Sequence, residues 1–138
     1  MGKVRGLPIR SVVLDATALT TAADEHSDAR GALRRWQEDG ADVLTTAATL
    51  TEVLRGHPRD AHIHRLLASL TIRVVDEHLG RAAGERIGRR AMRGNVTLDA
   101  LVAELASSLP RPVVVLTSDV DDITALVDDD VMVLDIAA

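Results

Sequence analysis

The chain has 138 residues, 46% of them apolar, which is enough for one sizeable core and too short to divide comfortably in two, so residues 1–138 read as a single domain. With no cysteine it can have no disulfide, thiolate metal site or cysteine nucleophile, which fits a reducing compartment. The net charge of −5 conceals an asymmetry: Arg55 to Arg93 holds nine arginines against four acids, a net of +5, and the rest of the chain carries −10.

No apolar run approaches the roughly 18 residues of a membrane span, and Asp15 interrupts the apolar stretch that follows the basic opening. Neither a membrane helix nor a signal peptide is therefore expected, and the chain is expected to be cytoplasmic. Trp36 is the sole aromatic side chain apart from the histidines, so base stacking has no platform.

In chain order, "SVVLD" predicts a buried strand and "TALTTAADEH" a helix. Ser27 is placed to cap a second helix, "DARGALRRWQED", that Gly40 would stop. "ADVLTT" reads as a strand, "TLTEVLRG" as a short helix, "DAHIHRLLASL" as another helix and "TIRVV" as a strand. A helix is predicted over 77–93, with Gly80, Gly84 and Gly88 forming a small-residue face that suits close packing in a core. An amphipathic helix is predicted over 97–109, then the strand "VVVLT", the helix "SDVDDITALV" and the strand "VMVL". Strands apolar on both faces and separated by helices predict a three-layer α/β/α sandwich around a mainly parallel sheet of four to five strands.

Ligands of open parallel sheets sit outside the carboxyl ends of the strands. Asp15 ends the first strand and Asp119 follows the fourth, while Glu52 and Asp99 lie in helices that reach the same edge. Taken singly, Asp15 could be a helix cap, Glu52 the partner of Thr49 in a capping box, and Asp99 or Asp122 a first-turn acid. Together they make a crowd of like charges that a hard divalent cation would relieve.

Other chemistry has little support. The histidines lack the i, i+4 spacing of a helical zinc site, and Ser118 lies outside a Gly-x-Ser-x-Gly elbow. Lys3 is the only lysine and follows no glycine-rich loop, which excludes P-loop nucleotide chemistry.

The order "VVLDATAL", "TAATLTEVLRG", "TLDALVAELA" and "VVVLTSDVDDITAL" resembles the PIN-domain family, in particular the VapC-type toxin ribonucleases of bacterial toxin–antitoxin pairs. The likeness runs from Ser11 to Ile136, and the strand leading into Thr-Ser-Asp is its most specific part. It implies a PIN-like fold, Mg²⁺ or Mn²⁺ as cofactor, endonucleolytic cleavage of RNA, a homodimer and a cognate antitoxin partner. Carried over motif by motif, the catalytic acids fall on Asp15, Glu52, Asp99 and Asp119, with Asp15, Asp99 and Asp119 as metal ligands and Thr17, Ser118 and Asp122 as accessories. Many relatives carry a further acid where this chain has Val96. Arg86, Arg89, Arg90 and Arg93, in the positive segment, are the expected contacts to RNA phosphates.

Two rivals share parts of this pattern. A haloacid dehalogenase-type phosphatase also starts from a strand-terminal Asp, but wants a second Asp where Thr17 stands and a catalytic lysine. A non-catalytic module on the same fold would keep four acids at an electrostatic cost with no cation to offset it.

Overall fold

The computed structural model describes Lys3–Val4 and residues 7–137. A short antiparallel pair, β1 (Lys3–Val4) and β2 (Leu7–Pro8), precedes the main sheet. That sheet has five strands, all parallel: β3 (Ser11–Leu14), β4 (Asp42–Thr46), β5 (Thr71–Arg73), β6 (Val113–Thr117) and β7 (Met132–Asp135), in the order β5-β4-β3-β6-β7. The two valine-rich strands β3 and β6 lie at its centre, where Val12 pairs with Val114 and Val13 with Val115. Every residue of both strands is buried, as expected of a parallel sheet covered on both faces.

Alternation along the strands divides the core in two. Val12, Leu14, Val43, Val114 and Leu116 pack against α1 (Ala16–Ala23), α2 (Asp28–Glu38) and α4 (Ala61–Leu67) through Leu19, Leu33, Trp36 and Leu66. Val13, Leu44, Val113 and Val115 face α5 (Glu77–Arg89), α6 (Thr97–Ser107) and α7 (Val120–Leu126) through Ala83, Val102, Leu105, Ile123 and Leu126. A one-turn helix, α3 (Leu50–Val53), follows β4. The chain thus leaves β3 toward one face and β6 toward the other, opening a crevice between their carboxyl ends.

Local signals set the boundaries. Ser27 accepts a hydrogen bond from the Arg30 N–H at 3.1 Å and starts α2, and Gly40, with φ of +97°, ends the turn after it.

Helix α5 departs from expectation in two ways. Leu79, Ala83, Arg86 and Ile87 form its inner face, so Gly80, Gly84 and Gly88 point outward, and a Cβ at any of the three would meet nothing within 4 Å. The glycine stripe is therefore exposed and makes no close core contact. Arg86 is only 5% exposed and is bound within the fold, donating to Glu104 Oε1 at 3.1 Å, the Leu126 carbonyl at 2.8 Å and Asp128 Oδ1 at 2.9 Å. A guanidinium that saturates three acceptors in the interior is not available to an RNA phosphate, which corrects the assignment of Arg86 as an RNA contact.

Candidate functional site

Four chain segments meet at the carboxyl edge of the sheet. Asp15 follows β3 and caps α1, Glu52 lies in α3, Asp99 in the first turn of α6, and Asp119 immediately precedes α7. They line one cleft of about 480 Å³, together with Thr17, Thr49, Asn95 and Ser118. Asp122 stands beside it, and one carboxylate oxygen from each of Asp99, Asp119 and Asp122 lies within 4.8 Å of the others.

Asp15 is both helix cap and cleft residue. Its Oδ1 accepts from the Ala18 N–H at 2.9 Å, and its Oδ2 accepts from the Thr117 hydroxyl. Thr117, fully buried at the end of β6, also accepts the Asp119 N–H at 2.8 Å, so one side chain orders acids from two strands. On the other side of β3, Thr45 donates to the Leu14 carbonyl at 2.8 Å and fixes the strand end that carries Asp15. A threonine closing an otherwise apolar buried strand must satisfy its hydroxyl, and that requirement was the available signal for Thr117. Asn95 and Thr49, which also line the cleft, carry no comparable pattern in the sequence.

Some of the local roles of the acids are present beside the shared cleft: Asp15 does cap α1, and Asp99 and Asp122 do stand in first helical turns, while the capping box of Glu52 does not form. Thr49 makes no side-chain cap to α3; Thr46 instead accepts the Thr49 N–H at 3.2 Å, which leaves the exposed Glu52 facing the cleft. Asp119 makes no side-chain cap to α7. Of the four arginines expected to meet RNA, none lines the cleft: Arg86 is internal, Arg89 and Arg90 lie 4.0 and 3.9 Å from Glu85 and Asp128, and Arg93 is exposed beyond the end of α5.

The cost of this crowding shows in the titration of the acids. Burial, then the hydrogen bond and charge of Asp119, push Asp99 up to about 7, with Asp15 and Asp122 adding repulsion. Burial also raises Asp15, against the opposing hydrogen bonds from Thr117 and Ala18, and the charge of Asp119 raises Asp122. A donor set of carboxylate, hydroxyl and carboxamide groups, with no imidazole or thiolate in the cleft lining, fits a hard divalent cation.

No protein-family model matches the chain, and no curated protein matches its sequence. Solved structures match in fold. The chain in VapBC2 from Rickettsia felis, bound to a DNA fragment from the promoter, is 13% identical with a TM-score of 0.67, over 91% of this chain and 98% of that one. For DNA-bound VapBC from Salmonella typhimurium the values are 17%, 0.64, 93% and 99%. For FitAcB from Neisseria gonorrhoeae they are 19%, 0.59, 91% and 98%. The three-layer sandwich built on this sequence is therefore the PIN-like fold that its motifs resemble, shared nearly end to end with chains of the VapBC and FitAcB structures.

Proposed function

We propose that the chain is a Mg²⁺-dependent endoribonuclease and the toxin of a type II toxin–antitoxin pair, hydrolysing phosphodiester bonds in structured RNA such as tRNA. The observation that carries this reading is the convergence of Asp15, Glu52, Asp99 and Asp119 on one cleft at the switch point of the sheet. Asp15, Asp99 and Asp119 would hold Mg²⁺, or Mn²⁺ in its place, with Asp122 adjoining Asp99 and Asp119. When bound, the cation neutralises charge on phosphoryl oxygens and lowers the pKa of water.

The protein's own groups supply the rest. Thr117 and the Ala18 N–H hold Asp15 in one orientation before substrate arrives, so no reorganisation is needed at the moment of reaction. Glu52, exposed at the rim, orients the attacking water and takes its proton. Thr17 and Ser118, which line the cleft with Asp15, offer hydroxyls to phosphate oxygens. In-line attack by water leaves a 5′-phosphate and a 3′-hydroxyl.

The partners follow from the same reading. The VapBC and FitAcB likenesses support a cognate antitoxin. In this reading a basic side chain of that partner blocks the acidic cleft, where an arginine can pair with two carboxylate oxygens at once. A homodimer belongs to the same proposal, as the family resemblance of the motifs implies.

The test is cleavage of total tRNA with Mg²⁺ and with EDTA, by the unaltered chain and by Asp15→Asn and Asp99→Asn. Cleavage confined to the unaltered chain with Mg²⁺ is expected. Undiminished metal-dependent cleavage by both variants would exclude the mechanism, and phosphatase activity on a simple monoester would favour the dehalogenase-type alternative.

A further inference from the structure

The cleft that holds the acids is lined by no lysine or arginine among the described residues. A polyanion entering it needs positive charge nearby, and α5 supplies little, since Arg86 is internal and Arg89 and Arg90 lie beside carboxylates. The opposite wall is different. A second depression of about 430 Å³ adjoins the cleft and shares Ala16, Thr17 and Glu52 with it. It continues over Thr20 and Thr21, which with Thr17 occupy one face of α1 at helical spacing, and it ends at Arg55.

Arg55 is exposed but anchored at its backbone and at one guanidinium nitrogen. Its Nη1 donates to the Thr51 carbonyl at 2.9 Å and to the Leu54 carbonyl at 2.7 Å, and its backbone N–H donates to Asp60 Oδ2 at 2.9 Å. Among the described residues Nε and Nη2 have no hydrogen-bond partner and no carboxylate pairs with the guanidinium. A guanidinium anchored through Nη1, with Nε and Nη2 unpaired at a groove lined by Thr17, Thr21 and a Thr20 whose hydroxyl donates to the Ala16 carbonyl at 3.0 Å, is suited to receive a phosphate.

We infer that Arg55 holds a backbone phosphate of the RNA strand, which runs from the acidic cleft along the threonine face of α1. This rests on the ribonuclease reading and adds to it the path of the substrate. Arg55 binds a phosphate away from the scissile one, so it governs capture of the strand and carries no step of the hydrolysis. A phosphate contact reads no base, and Arg55 is the one cation in a groove whose other polar groups are Thr17, Thr20, Thr21 and the rim carboxylate of Glu52.

The experiment uses fluorescently labelled total tRNA. Binding is measured by anisotropy in the presence of Mg²⁺ across a salt series, with Asp119→Asn as the non-cleaving background and Arg55→Gln, Arg55→Ala and Arg55→Lys added to it. Arg55→Gln and Arg55→Ala are expected to flatten the slope of log K against log salt by about 0.7 to 0.9, the loss of one phosphate contact, while Arg55→Lys keeps the slope. In the active background the same two variants should raise KM roughly tenfold with kcat within about twofold. Melting curves by circular dichroism confirm folding, and should Arg55→Ala unfold, the Gln and Lys pair decides the matter. An unchanged slope in Arg55→Gln, in a protein whose unaltered form cleaves tRNA, overturns the Arg55 inference alone. An unaltered chain that neither binds nor cleaves tRNA overturns both readings.

Discussion

The Thr117 hydroxyl joins Asp15 to Asp119: it donates to Asp15 Oδ2 and accepts the Asp119 backbone N–H at 2.8 Å. Thr117→Val keeps the shape and removes both bonds. Groups that orient a metal ligand typically matter by about 10- to 100-fold, so tRNA cleavage should fall by that factor. Thermal or urea unfolding should show a loss of about 1 kcal/mol. Full activity in Thr117→Val would mean that Asp15 is held by Ala18 alone.

The elevated Asp99 gives the metal-free protein a distinctive pH dependence. A carboxyl whose pKa rises on folding binds its proton more tightly in the folded state, so stability falls as pH climbs from the ordinary 3.8 through about 7. Asp15 and Asp122 act in the same direction. In EDTA the melting temperature should therefore be lower at about pH 8 than at about pH 5.5, and added Mg²⁺ should raise it more at the higher pH. Asp99→Asn removes this penalty, and is expected to be inactive yet more stable than the unaltered protein in EDTA at about pH 8.

Asp60 behaves in the opposite sense. Its Oδ2 accepts the N–H groups of Arg55, Gly56 and His57 at 2.9, 2.9 and 3.3 Å, and these bonds, that of Arg55 foremost, lower its pKa below 3.8. The stability it contributes is present above 3.8 and lost as pH falls through the depressed folded value. Asp60→Ala should loosen residues 55–60, which limited trypsin digestion would report as faster cleavage at Arg55 and Arg59.

Arg86 separates a structural arginine from a ligand-binding one. Arg86→Ala leaves Glu104, whose side chain is 17% exposed, without its partner, and should destabilise the fold by about 3 kcal/mol. Arg86→Met, which keeps the packing volume, should cost less. Neither should alter the salt dependence of tRNA binding, in contrast to Arg55→Gln.

The outward glycines of α5 make a simple stability test. Gly84 sits mid-helix with open space where a Cβ would stand, so Gly84→Ala should stabilise by about 0.5 to 1 kcal/mol in chemical denaturation. A destabilising result accompanied by loss of a dimer in sedimentation would identify the stripe as an interface between copies.

Legibility in the sequence followed physical locality. The valine runs of β3 and β6 announce strands because residues apolar on both faces must be covered on both, and Ser27 announces α2 because its hydroxyl meets an N–H three residues on. The acids at the cleft were readable because parallel strands bring their carboxyl ends to one edge. Arg86 was not, because its partners Glu104 and Asp128 lie 18 and 42 residues away and nothing local distinguishes it from Arg89. The glycine stripe misled because spacing shows which residues share a face and not which way that face turns. Arg55 was hidden within the general positive charge of its segment; only the groove beside Thr17 and Thr20 singles it out.

The central pairing of β3 with β6 also bears on how the chain is made. Ser11 pairs with Val113 and Leu14 with Leu116, so the first long strand waits for one about a hundred residues behind it. Such distant pairings form late, after loop closure over most of the chain. During synthesis from the N-terminus, Asp15 and Glu52 emerge well before Asp99, and Asp119 comes last of the four. An incomplete nascent chain thus lacks the strand that orients Asp15 and the acid that completes the cleft. Vectorial synthesis by itself keeps the site unassembled until β6 and Asp119 have been made, and a fragment truncated before β6 should be inert.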